Sequence, residues 1–161
     1  MTDIDIRVVE PADIDALVAS VAGLFAEDAG ASDPGVDTTW PDREGAGYYS
    51  GLIGDDACLL ALAWAGDRGA GDRVVGHLVG KLREPTDLNR DRIAVLESIR
   101  VHPDARNAGV GSLLVDHFRD WARRHDAGQA SVTAYAVNTA AQRFYARHGF
   151  VPSLVTMRAA L

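Results

Sequence analysis

The stretch Val101-His102-Pro103-Asp104-Ala105-Arg106-Asn107-Ala108-Gly109-Val110-Gly111-Ser112 concentrates the residue types that hold an anion. A strand pattern ends at its start, a loop with one arginine and two glycines follows, and a helix pattern opens at the glycines. Free amides at a helix N-terminus, reinforced by the helix dipole, attract phosphate. Gly109 and Gly111 let the backbone approach a diphosphate with no Cβ in the way, and Arg106 can add a charge-assisted hydrogen bond. Three phosphate-loop patterns compete here. A P-loop needs Lys followed by Ser or Thr, whereas the only lysine, Lys81, precedes Leu82. A dinucleotide fingerprint needs a small third residue where Leu114 stands, and a tighter turn than the one between Val101 and Gly109. The pattern R-x-x-G-x-G fits Arg106, Gly109 and Gly111 outright.

Other reactive types are scattered. His77, His102, His117, His125 and His148 show no metal-binding spacing. His125, after Arg123 and Arg124, reads as a cation at a helix end. No G-x-S-x-G elbow supports a serine hydrolase. Cys58, the one cysteine, sits in an apolar run and reads as a small buried hydrophobe, so neither a disulfide nor a cysteine cluster forms.

The elements that must position this loop follow from periodicity. Residues 4–9 alternate as a strand. Pro11 opens a helix whose apolar face is Ile14, Leu17, Val18, Val21, Leu24 and Phe25. Residues 28–54, rich in Gly, Asp and Pro, read as a loop with one poor helix around Tyr48 and Leu52. Strands at 57–64 and 74–82 form a hairpin across a turn at 66–72. A strand at 94–101, a helix at 110–124, a strand at 130–137, a helix at 138–148 and a last strand at 154–157 complete the chain. Asn138 is placed to N-cap the last helix and Gly149 to end it. The order is β-α-(α)-β-β-β-α-β-α-β.

Two segments together resemble the GCN5-related N-acetyltransferase (GNAT) superfamily. Val101-x-Pro103-x-x-Arg106-x-x-Gly109-x-Gly111 is similar to its pyrophosphate-binding motif. Asn138-Thr139-Ala140-Ala141-Gln142-Arg143-Phe144-Tyr145-Ala146-Arg147-His148-Gly149-Phe150 is similar to its N-x-x-A-x-x-x-Y-x-x-x-G-F pattern, matched at Asn138, Ala141, Tyr145, Gly149 and Phe150. The motif region runs from about residue 94 to 151, and the first 93 residues match in element order alone. The resemblance implies an α/β fold, an α+β mixed sheet flanked by helices, as one domain over residues 1–161. It implies acetyl-CoA as co-substrate and no metal. The backbone of Ile99 and Val101, with Arg100 between them, would bond the pantetheine arm. The amides of Arg106, Asn107, Ala108, Gly109, Val110, Gly111 and Ser112 would wrap the diphosphate. Asn138 and Ala141 would lie beside the pantetheine, and Tyr145 would point at the thioester sulfur.

Such a transfer needs a neutral amine, donors for a developing oxyanion, a proton for the leaving thiolate and alignment of the reactants. Tyr145 is the expected acid. Glu97 is the expected base, acting through water; strand parity puts it on one face with Ile99 and Val101. Bland roles stand beside these: Tyr145 packing on the sheet, Glu97 as a structural carboxylate, Asn138 as a helix cap. The expected activity is direct acetyl transfer to a primary amine of a small molecule or polypeptide in a ternary complex. The alternatives are a CoA-binding sensor or scaffold without turnover, and an acyltransferase using another acyl-CoA. Family members are often homodimers, which is the assembly the resemblance implies.

Composition bounds the rest. The chain has 161 residues, 47% hydrophobic and 24% charged, values of an ordinary globular domain. Its longest apolar run, residues 57–65, falls far short of the roughly 20 residues that span a membrane. Its acidic start lacks the apolar core of a signal peptide, so a cytoplasmic location is expected. A formal net charge of −7 argues against nucleic acid as partner, and with so short an apolar run no membrane partner is expected. The first 96 residues hold 18 acidic and 8 basic groups, the remainder 5 and 8. That asymmetry suits a polyanion held by the second part and a cation approaching the first, although drift of surface charge also accounts for it. Trp40, Tyr48 and Tyr49 fall where the family walls its acceptor pocket; Glu27 and Asp28 read as solvent-facing charges at a helix end.

Overall fold

A computed structural model describes residues 3–66 and 71–161. Five strands form one sheet in the order β1-β2-β3-β4-β5: β1 (Ile4–Val8), β2 (Cys58–Ala65), β3 (Arg73–Arg83), β4 (Ile93–Val101) and β5 (Gln129–Val132). The first three pairings are antiparallel and β4–β5 is parallel. Residues 67–70 of the expected β2–β3 turn lie outside the described residues.

Alternation along β2 sorts the sheet into two faces. Leu59, Ala61, Ala63 and Ala65 join the core under α4 (Val110–Arg124), with Phe118 and Trp121 at its centre. Small residues on the strands make room for large rings on the helix; a Cβ on Gly80 would lie 3.0 Å from the Phe118 ring. Leu60, Leu62 and Val79 face the other way, onto α1 (Ile14–Leu24) through Leu17 and Val21. Phe118 is fully buried, so truncating it to Ala is expected to cost about 3–5 kcal/mol.

Residues 28–54 are less loop-like than expected. One π-helical turn, Phe25–Ala29, continues α1 into α2 (Gly30–Ser32), and another, Pro41–Gly45, leads into α3 (Ala46–Ser50). Two expectations fail at the C-terminal side. β5 ends at Val132 rather than 137, and the last strand expected at 154–157 is absent: residues 150–161 have no regular structure. A strand forms only against a partner, and β5 offers a ladder of four residues; Leu154, Val155 and Met157 are left exposed. The last helix, α5 (Thr139–Arg147), matches expectation, capped by Asn138 and ended by Gly149 at φ +79°.

Candidate active site

β4 is the axis of the site, and a bulge decides what each of its faces carries. Its register against β3 slips by one residue: Val79 pairs with Ser98 but Gly80 with Leu96, leaving Glu97 as the extra residue. Parity therefore reverses at Glu97. Leu96, Ile99 and Val101 lie on the α4 side, while Glu97 and Ser98 face the α1 side. The expected sharing of one face by Glu97, Ile99 and Val101 is thus corrected.

The same strand has one open edge. β5 pairs with Ile93 to Leu96 and no further. The His102 amide donates to Val75 O on β3 (2.8 Å). Alternate residues address alternate edges, so Arg100 also turns its backbone to β3, whereas Ile99 and Val101 present theirs to the unpaired edge. Consistently, Val101 O accepts from Arg106 Nε (3.2 Å).

This edge leads into the anion loop. Arg106, Asn107, Ala108 and Gly109 are exposed. Asn107 (φ +62°) and Gly109 (φ +81°) both adopt the left-handed conformation that turns the chain into α4. The first internal bond at the helix start is Leu113 N to Gly109 O (3.1 Å), so the amides of Val110, Gly111 and Ser112 have no acceptor within the helix. Gly111 has a second reason to be glycine: a Cβ there would stand 3.1 Å from the Phe144 ring of α5. Unpaired amides, an exposed loop and an open strand edge in succession fit a diphosphate with an extended arm.

On α5, Tyr145 packs beside Phe144 and Phe150. Burial, with the Asp28 carboxylate nearby, pushes its phenol up to about 12. Its hydroxyl makes no hydrogen bond among the described residues, so it is a protonated and uncommitted donor. Asn138 Oδ1 accepts from the Ala141 amide (3.0 Å), making it the helix cap, and its Nδ2 donates to Asp28 Oδ1 (3.0 Å). Ser112 Oγ lies 3.1 Å from His148 Nε2, joining α4 to α5.

Across β4, a cavity of about 380 Å³ opens on the α1 side. Phe25, Trp40, Tyr48 and Tyr49 wall it, and Glu97 and Ser98 supply its polar groups from the bulge. The rings brace one another, with Trp40 and Tyr48 edge-to-face at 5.3 Å and Tyr48 and Tyr49 at 5.1 Å. Lys81 stands behind two of these groups. Its ammonium donates to the Tyr48 hydroxyl, lies 5.0 Å from that ring's centre and stands 3.4 Å from Glu97 Oε2. Burial pulls Lys81 down, but the Tyr48 and Glu97 contacts outweigh it and hold the amine above its ordinary range.

Glu27 is exposed, as expected, and Asp28 is half-buried, but both are also tied to distant elements. Glu27 Oε1 accepts from Arg100 Nη2 (2.7 Å) and Oε2 from Arg106 Nη2 (2.6 Å). The Arg100 hydrogen bond, reinforced by Arg106, holds the carboxyl below its usual range despite partial burial. Gly23 makes this possible: a Cβ there would fall 2.5 Å from Arg100 Cζ. Glycine in a helix interior costs about 1 kcal/mol, and here it clears a path for the guanidinium. The single turn Phe25–Ala29 therefore touches β4, the anion loop and the α5 cap while placing Phe25 in the cavity.

One polar line runs from buried Ser20 and His77 to the half-buried Ser98. His77 Nδ1 lies 2.7 Å from Ser20 Oγ and Nε2 lies 2.6 Å from Ser98 Oγ. Burial, then Arg100, pushes His77 down to about 3, so the ring is neutral and holds the Ser98 side chain in place. These contacts, like those of Glu27, join residues far apart in sequence. Gly23 interrupting a helical pattern was the one local sign of them.

Among the described residues no cluster of His, Cys, Asp or Glu is arranged to hold a metal. Cys58 is half-buried rather than buried, its thiol pushed up by burial and by Asp55. His125 Nδ1 lies 2.9 Å from Trp121 O at the end of α4. No helix among the described residues is long and apolar enough to cross a membrane.

Comparison with known proteins identifies the family. Residues 25–150 match the acetyltransferase (GNAT) family. A streptothricin acetyltransferase from Streptomyces lavendulae is 30% identical over 122 residues, covering 74% of this chain and 59% of that protein. The chain thus spans about three fifths of that relative's length. Among solved structures, the aminoglycoside N-acetyltransferase AAC(6')-Iy in complex with CoA superposes with a TM-score of 0.75 at 17% identity, covering 100% of this chain and 96% of the other. A predicted acetyltransferase from Clostridium acetobutylicum, solved with acetyl-CoA, gives 0.74 at 15% identity, covering 98% and 96%.

Proposed function

Because this chain belongs to the acetyltransferase (GNAT) family, we propose that it transfers an acetyl group from acetyl-CoA directly to a primary amine of a cationic small molecule. The observation that carries this reading is the division of labour across the β4 bulge. An unpaired backbone edge and anion loop lie on one side, and an aromatic cavity bearing a carboxylate lies on the other.

Acetyl-CoA supplies the activated acyl group and a thiol leaving group. The amides of Asn107 to Ser112, with Arg106, hold its diphosphate. Ile99 and Val101 extend the sheet onto its pantetheine arm through their outward backbone groups. Glu97 accepts a proton from the incoming ammonium, directly or through one water. Backbone N–H groups at the β4 bulge, held still by the β3 ladder, oppose charge developing on the carbonyl oxygen. Tyr145 then gives its proton to the departing sulfur; its raised pKa keeps that proton in place until it is needed.

The acceptor class follows from the cavity. Four aromatic rings and one carboxylate favour an organic cation, since a ring face attracts ammonium by about 0.5–2 kcal/mol. The names of the streptothricin acetyltransferase and the aminoglycoside N-acetyltransferase point in the same direction. Thiol release from acetyl-CoA, measured across a panel of polyamines, aminoglycosides and peptide amines, tests the reading. Saturable release with the cationic small molecules, reduced in Glu97→Gln, is expected. Failure of every acceptor in the panel to elicit release, despite coenzyme binding, would refute it.

A further inference from the structure

Lys81 is the chain's only lysine, and the fold places its amine beside the carboxylate proposed above as the base. The side chain leaves β3 opposite Val95, beside the bulge, on the face that carries the cavity. Its ammonium meets the Tyr48 ring and hydroxyl and the Glu97 carboxylate. These are the two kinds of contact, an aromatic face and an acidic group, that the cavity offers an incoming cation. The side chain is 26% exposed, so it is sheltered without being sealed in, and its four-carbon stem can pivot about Glu97.

We propose that Lys81 is an acetylation site of the enzyme itself: the chain transfers an acetyl group from its own bound acetyl-CoA to Lys81 Nζ. This rests on the transferase reading above. In the step, Glu97 takes one proton from the Lys81 ammonium, and the freed lone pair attacks the thioester carbonyl carbon. The new C–N bond forms as the C–S bond breaks. The thiolate takes its proton from Tyr145, the amide nitrogen releases its surplus proton to water, and the proton held by Glu97 returns through water to Tyr145. The products are Nζ-acetyl-lysine, free CoA and one proton. The amide retains an N–H for the Tyr48 hydroxyl but carries no charge, so Glu97 loses the cation it now faces.

The experiment incubates the full chain with acetyl-CoA and no added amine, following intact mass and mapping the modified peptide. The expected result is one acetyl group at Lys81. It should appear with a first-order rate independent of protein concentration, be at least about tenfold slower in Glu97→Gln, and leave no internal site labelled in Lys81→Arg. Label confined to an amino terminus, a rate proportional to protein concentration, or an equal rate in Glu97→Gln would overturn the proposal. Calorimetry with CoA on the same samples separates the two readings. Coenzyme binding and acetylation of added amines without label at Lys81 would sink this proposal alone; absence of coenzyme binding would sink both.

Discussion

The two sides of β4 are built from different materials. Toward α4 and α5 the site is main chain: unpaired strand edge, loop amides and the first turn of a helix. Toward α1 it is side chain: four rings, a carboxylate and a hydroxyl gathered from residues 25 to 98. A main-chain site demands particular residues at fixed spacing, because only a few types permit the backbone shape. A side-chain site demands only that suitable groups converge, and convergence is arranged by the fold.

Substitutions can break or sharpen this contrast, and the largest effect should come from the side chain that gives the leaving sulfur its proton. Tyr145→Phe is expected to lower kcat by about 10²-fold or more while leaving the acetyl-CoA Kd nearly unchanged. Steady-state kinetics beside calorimetry would show it, and an intact kcat would remove the acid role. Next, Trp40→Ala should raise the acceptor KM by about tenfold through loss of a ring face, again with coenzyme affinity preserved. A matching loss of coenzyme affinity would mean that the two sides are not separable.

A third test concerns the buried line behind Ser98. His77 is neutral in the fold with its pKa near 3, whereas in the unfolded chain it titrates near 6.5. Below about pH 6.5 the unfolded state binds a proton that the folded state refuses, so stability must fall with pH across that window. The loss should reach about 2 kcal/mol by pH 5. Denaturant midpoints at pH 7 and 5 should differ accordingly in the natural chain and less so in His77→Gln. The smallest effect belongs to the loop. Asn107→Gly keeps the left-handed turn and every amide, so the acetyl-CoA Kd should move by less than about threefold; a larger change would give the Asn107 side chain a part in the cradle.

The same contrast explains what could be read before the fold was seen. The stretches 101–112 and 138–150 were legible because Pro103, Gly109, Gly111, Asn138 and Gly149 each mark a backbone requirement, and the helices and most strands around them followed from periodicity. The bulge at Glu97 was not legible. One extra residue inverts strand parity without altering composition, so the carboxylate was assigned to the wrong face. The contacts of Glu27 and Asp28 were not legible either, because their partners, Arg100, Arg106 and Asn138, lie 73, 79 and 110 residues away. The last strand was expected from apolar residues alone, which say nothing about whether a neighbouring edge exists to receive them.

The notch between β4 and β5 has a further consequence. An extended molecule seated there would give the amides of Ile99 and Val101 the partners they lack, turning a border of the sheet into part of its interior. Their deuterium uptake should then slow markedly when acetyl-CoA is added, while the residues of β1, at the opposite border, keep the rate they had.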